Sequence, residues 1–180
     1  KVYDATTAAA ISGGTLNSFY GDTVGVTGGG TFANKNVGTG KAVTAALSLT
    51  GGDAGNYTLT QPGGLTANID PATISAVTGI TINDKTYDGS TGATLGGAAT
   101  FTGMYGGDAL TIGSATVAFG DRHVGSSKPV NVTGITLSGA DAGNYTLANT
   151  SGSGTANIVQ RASVSWSPSV YGDGVNWFDA

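Results

Sequence analysis

The chain has 180 residues, 32 of them Gly and none Cys, with a formal net charge of −4 from 11 acids against 7 Lys and Arg. Scattered cations on an acidic chain exclude a basic stripe for nucleic acid, and the lack of Cys excludes a disulfide scaffold and thiol chemistry. Every acid is Asp, so the long polar residues that favour helices are nearly missing while turn formers abound, and an almost entirely β chain is expected.

The opening segment Lys1-Val2-Tyr3-Asp4 reads as a strand end that starts a turn, where Asp4 can accept backbone N–H bonds. Alternation then marks 23–26 and 42–49 as half-buried strands between Gly-rich turns. Next comes Asp53-Ala54-Gly55-Asn56-Tyr57-Thr58-Leu59, which invites comparison with the tyrosine corner of immunoglobulin-like domains. Leu59 stands where the disulfide Cys of those domains would be. A structural role is expected, with the Tyr57 ring buried and its hydroxyl partnered. The rival reading is Ca2+ at Asp53 or Asp141. It is set lower, because a hard cation needs several convergent oxygens and no Asp-x-Asp-x-Asp string occurs.

Asp70-Pro71 punctuates a join, after which 74–82 reads as a lead strand. From there the chain repeats itself. Lys85-Thr86-Tyr87-Asp88 answers the opening segment, Asp141-Ala142-Gly143-Asn144-Tyr145-Thr146-Leu147 answers the Tyr57 motif, and Thr155-Ala156-Asn157-Ile158 answers Thr66-Ala67-Asn68-Ile69. The offset drifts only from 84 (Tyr3 to Tyr87) to 88 (Tyr57 to Tyr145) and 89 (Asn68 to Asn157). Small loop insertions within one repeated unit produce such a drift, and fixed-period self-similarity marks an array. Further alternation at 109–112 and 130–137, with the turn Gly106-Gly107-Asp108 between, continues the β pattern.

Three segments follow from this: repeat 1 over 1–71, repeat 2 over 72–165, and an aromatic-rich start of a further module over 166–180. Repeat 1 shows no counterpart of the lead strand. Either the chain is cut there, or a neighbouring subunit supplies the strand to an otherwise unpaired edge. Trp166, Tyr171, Trp177 and Phe178 are core residues of that further module or candidate ligand contacts for sugar rings.

Asn34-Lys35-Asn36-Val37-Gly38 aligns with Asp121-Arg122-His123-Val124-Gly125, and His123 is the only histidine. With no Glu and no Cys, no acid–base or nucleophile set presents itself, so neither catalysis nor a cofactor or metal is expected. Isopeptide cross-links at Lys35 or Lys41 and glycosylation at Asn56, Asn131, Asn144 or Asn149 rank below structural roles. No apolar run is long enough to span a bilayer, so direct membrane insertion is not expected.

The ordered motifs together resemble the YDG-type repeat of filamentous-haemagglutinin-like and other large secreted bacterial proteins. The resemblance rests on Lys1 to Thr7, Phe32 to Lys41, Gly52 to Leu59 and Ala67 to Ala72, with their second copies. Ala5 departs from the motif, where Gly89 keeps it. The resemblance implies an extracellular, non-catalytic β domain at the bacterial cell surface. The expected fold is all-β, two tandem β-sandwich-like domains in an elongated arrangement, immunoglobulin-like or alternatively β-grasp-like. The expected function is a stalk or spacer of an adhesin or surface filament, with neighbouring repeats as partners. A glycan- or host-protein-binding module and a fibre subunit joined by strand exchange are the rivals.

Overall fold

The computed structural model describes residues 1–162. The chain is all-β, 48% strand with almost no helix, as a sequence without Glu but rich in Thr, Val and Gly demands. In chain order the strands are β1 (Ala8–Ala9), β2 (Gly25–Phe32), β3 (Gly38–Thr50), β4 (Thr66–Ile69), β5 (Ala72–Ile74), β6 (Ala76–Ile82) and β7 (Lys85–Thr86). They continue as β8 (Leu95–Thr102), β9 (Thr111–Ile112), β10 (Thr116–Phe119), β11 (Gly125–Thr133), β12 (Leu137–Ser138), β13 (Tyr145–Leu147) and β14 (Gly152–Val159).

One four-stranded sheet has the order β1-β2-β3-β4, and a second has the order β10-β11-β14-β7. The remaining strands form the pairs β9–β12, β5–β13 and β6–β8. The two larger sheets are built alike. In each, the segment carrying the Tyr-Asp motif runs parallel to the Thr-Ala-Asn-Ile strand: Val2 bridges Asp70 in the first, and Lys85 pairs with Ile158 in the second. Each also carries a β-bulge at the same place, between Gly38 and Lys41 on β3 and between Gly125 and Lys128 on β11. The Asn of each Thr-Ala-Asn-Ile strand pins that bulge. Asn68 Oδ1 accepts the Gly40 N–H at 2.8 Å, and Asn157 Oδ1 accepts the Ser127 N–H at 2.8 Å. The bulge requires a left-handed residue, Gly40 (φ 58) in one copy and Ser127 (φ 49) in the other.

The lead strand expected over 74–82 is two strands, because Ser75 switches partners. Before it, β5 pairs parallel with β13; after it, β6 pairs antiparallel with β8. The join at Asp70-Pro71 is likewise no loose connection. The Asp70 N–H donates to the Lys1 carbonyl and the Tyr3 N–H to the Asp70 carbonyl, and two residues on, Ala72 pairs with Tyr145. A single extended run with Ile69, Ala72 and Ile74 all buried passes from one repeat into the other.

Two apolar clusters hold these sheets. The first brings Tyr3, Phe32 and Ile69 of repeat 1 against Ala72, Ile74, Phe101, Leu110 and Tyr145 of repeat 2. The second lies within repeat 2, around Phe119, Val130, Val132 and Ile158. The first cluster therefore spans the two sequence repeats, which makes their junction part of a core.

Candidate interaction site at the junction of the two repeats

The Tyr motif takes the same shape twice. Ala54–Asn56 and Ala142–Asn144 are single 3-10 turns, each followed by the extended Tyr57 or Tyr145. Asp53 Oδ2 accepts the Thr23 N–H at 2.8 Å, and Asp141 Oδ2 accepts the Ala109 N–H at 2.9 Å. The tyrosine hydroxyls follow suit. Tyr57 donates to Asp22 Oδ2 at 2.5 Å and accepts the Phe19 N–H at 2.9 Å; Tyr145 donates to Asp108 Oδ2 at 2.6 Å and accepts the Tyr105 N–H at 3.0 Å. Each hydroxyl is partnered, but only the Tyr145 ring is buried; Tyr57, whose ring the sequence places in a core, is half-buried. The partner differs from that of a tyrosine corner: a carboxylate and an amide some forty residues upstream, not a nearby backbone group. Gly55 and Gly143 sit in the turns with ordinary φ and open space around them.

The Tyr-Asp motif is an Asp-initiated turn in both copies. Asp4 Oδ1 accepts the Thr6 N–H and hydroxyl and pairs with the Lys1 ammonium at 2.7 Å; Asp88 Oδ1 does the same with Ser90 and with Lys85 at 2.8 Å. The Lys1 ammonium and Thr6 amide draw Asp4 down to about 2, and Lys85 and Ser90 draw Asp88 down to about 2. These carboxylates are spent on holding turns.

The copies diverge in what meets them. At the junction, repeat 1 presents Tyr3 and the 34–37 loop to the Tyr motif of repeat 2. Tyr3 is fully buried, and its hydroxyl donates to Asp108 Oδ2 at 2.7 Å. Its ring meets Tyr145 edge-on at 5.4 Å and Tyr105 at 6.0 Å, the orientation that places a positive ring edge on a negative face. Lys35 reaches across to pair with Asp108 and, at 3.3 Å, with Asp141, while lying 5.7 Å from the Tyr3 ring centroid. Asn144 Oδ1 accepts the Val37 N–H at 3.0 Å, and its amide nitrogen donates to Asn36 Oδ1 at 3.5 Å.

Asp108 is the centre of this arrangement. Burial pushes its carboxyl up, but the Lys35 ammonium and the Tyr145 and Tyr3 hydroxyls outweigh that and hold it below the ordinary carboxylate range. Burial, with Asp108 alongside, pushes Tyr145 up to about 12. The hydrogen bond to Asp108 raises Lys35 in turn. A buried carboxylate with two hydroxyl donors and one ammonium is fully satisfied, so its removal would strand the groups aimed at it.

Chemically the cluster is a clamp. No buried side-chain polar atom among the described residues lacks a hydrogen bond, and none of these residues gathers into a cluster able to hold a metal ion. A cavity of about 660 Å³ between β6 and the 149–155 segment is lined by aliphatic, Gly, Ser, Thr and Asn residues with no titratable side chain.

Of the residues singled out by sequence, the structure gathers Tyr3, Asp141, Asn144 and Tyr145 into one place. Asp53, Asn56 and Tyr57 lie together at the opposite end of repeat 1, while Tyr87 packs against the second apolar cluster and Asp88 beside it is exposed. Trp166, Tyr171, Trp177 and Phe178 fall outside the described residues. Sequence reasoning missed Asp22 and the bonding role of Asp108. The signal was present, as a Gly-Asp dipeptide in matching position ahead of each Tyr motif, Gly21-Asp22 and Gly107-Asp108. The sequence marks Lys35 as a cross-linking candidate, whereas the structure makes it the cation of the cluster.

A family model described as YDG domain matches residues 1–64 and 70–152 of the chain. No curated protein and no solved structure matches it.

Proposed function

The chain belongs to the YDG domain family, and from that premise we propose that it is a non-catalytic structural segment, a stalk or spacer, of a large extracellular bacterial protein of the adhesin or surface-filament type. In this reading each repeat is a β-sandwich-like unit, immunoglobulin-like in its Tyr motif, and the two stand in tandem along an elongated array.

The observation that carries the proposal is the clamp at Asp108. A spacer must transmit orientation from one unit to the next, which needs a junction resistant to bending. Domains joined by loose, polar linkers move relative to one another by default; a buried apolar interface prevents it. Here the connecting strand buries Ile69, Ala72 and Ile74, three tyrosines interlock, and a satisfied ion pair fixes the register. All the charge chemistry of the junction is consumed in holding it, which fits support better than turnover.

The direct check is a double-mutant cycle across the junction. Tyr3→Phe and Tyr145→Phe each remove a donor to Asp108, and a shared clamp predicts losses of stability that depart from additivity by about 0.5–3 kcal/mol. Additive losses would mean that the two repeats do not share the carboxylate. The rival reading, a glycan- or host-protein-binding module, is tested by displaying the chain multivalently against glycans and matrix proteins, since weak sites register only through avidity. Saturable binding there would displace the spacer reading.

A further inference from the structure

Each half of the junction has a second copy that meets no partner among the described residues. Repeat 1 carries its own Tyr motif at the opposite end, with Asp22, Asp53, Asn56 and Tyr57 in the places that Asp108, Asp141, Asn144 and Tyr145 hold in repeat 2. Repeat 2 carries its own docking loop, with Tyr87, Arg122, His123 and Val124 in the places of Tyr3, Lys35, Asn36 and Val37.

The internal geometry of the copies is the same, as the matched bonds of Asp22–Tyr57 and Asp108–Tyr145 attest. Their burial is not. Tyr3, Asp108, Asn144 and Tyr145 are buried, whereas Tyr87, Asp22 and Tyr57 are half-buried and Asn56 is exposed. Val37 packs on the junction core, while Val124 is 52% exposed; near the free Tyr motif, Phe19 is 81% exposed. Charge is complementary between the two open ends. Asp22 and Asp53 make no ion pair among the described residues, and Arg122 at the other end makes none either.

A third feature accompanies them. In repeat 2, β5 lies alongside Tyr145–Leu147. Near Leu59, the counterpart of Leu147 in repeat 1, lies an open groove of about 540 Å³ lined by Ile11, Leu16, Val26, Leu47, Leu59 and Leu65 with Gly, Ser and Thr residues between them. An alternating strand such as Ala72-Thr73-Ile74 suits such a slot.

We propose that the two open ends bind one another between molecules, so that a second copy of this chain docks its Tyr87–Arg122 face onto the Asp22–Asp53–Tyr57 face of the first and rebuilds the Asp108 clamp. The contact is heterologous, head to tail, and its repetition produces an open linear array instead of a closed dimer. Arg122 does here what Lys35 does internally, with a planar guanidinium able to span both carboxylates. The inference rests on the spacer reading and adds the surface by which spacers continue.

The absence of cysteine makes the test clean. Val124→Cys and Asn56→Cys chains are mixed under mild oxidation, these being the positions equivalent to the Val37–Asn144 contact. The proposal expects the mixed 124–56 disulfide to form at least tenfold faster than either like pair. Adding Arg122→Glu to the Val124→Cys chain should abolish that preference, and Arg122→Lys, which restores the residue type found at 35, should retain it. A statistical mixture of the three disulfides, or a preference indifferent to Arg122→Glu, would overturn the proposal. Arg122 is exposed, so these changes leave folding intact. A single chain carrying Val37→Cys and Asn144→Cys serves as the internal reference. Closure of that pair without the 124–56 preference would sink the proposal and leave the spacer reading standing; failure of both would sink both.

Discussion

Ala5 sits at φ 61, a left-handed conformation that costs a residue with a Cβ about 1–2 kcal/mol. Its counterpart Gly89 adopts φ 82 in open space, so there the backbone alone decides the preference. Ala5→Gly is therefore expected to stabilise the chain by about 1 kcal/mol and Gly89→Ala to destabilise it by about as much, both read by chemical denaturation. The bulge supplies the reciprocal pair. Ser127→Gly should stabilise and Gly40→Ala destabilise by a similar amount, since only the left-handed φ separates them. The tyrosines give a contrast of another kind. Tyr3→Phe removes a donor from a buried carboxylate and is expected to cost about 2 kcal/mol, whereas Tyr87→Phe, whose hydroxyl has no partner among the described residues, should change stability by less than about 0.5 kcal/mol. Equal effects at the two tyrosines would contradict the assignment of Tyr3 to the clamp.

At the scale of elements, several strands and the turns between them were legible in outline because their signals are local, whereas the bulges and the 3-10 turns were not. Thr and Val alternation, Gly clusters and the Asp-Ala-Gly-Asn-Tyr run each act within a few residues. What could not be read was which segments meet at long range. The bond from Tyr145 to Asp108 spans 37 residues, and that from Tyr3 to Asp108 spans 105. Nothing local marks Asp108 as different from other turn aspartates. The partner switch at Ser75 was hidden for the same reason: a continuous alternating run looks identical whether it keeps one neighbour or changes it. The repeat itself was the strongest clue available, because any position matched across both copies had to serve the unit, and Gly21-Asp22 with Gly107-Asp108 met that test. The clamp also sets a pH response. The folded-state pKa of Asp108 is depressed, so its contribution is complete above the ordinary carboxylate pKa and is lost as pH falls through its lowered value. Asp4 and Asp88, drawn down to about 2, act in the same direction, though more weakly because they are half exposed. Thermal melts are expected to be flat from neutrality to about pH 4 and to fall steadily from there to about pH 2. In Asp108→Asn the baseline is lower by about 3 kcal/mol and the acid slope shallower.

For the molecule as a whole, one core shared across the sequence boundary is expected to make the two repeats a single mechanical body. Cluster membership already crosses the sequence boundary, with Tyr3, Phe32 and Ile69 packed against Ile74, Phe101 and Tyr145. Unfolding should then be cooperative across the junction, and destabilising either face of the clamp should lower the stability of both repeats. The measurement that bears on this most directly is 15N relaxation by NMR, resolved for amides in each repeat. One rotational diffusion tensor is expected for both repeats in the native chain, splitting into two when Asp108→Ala removes the clamp. Independent tumbling of the two repeats in the unaltered protein would contradict this expectation.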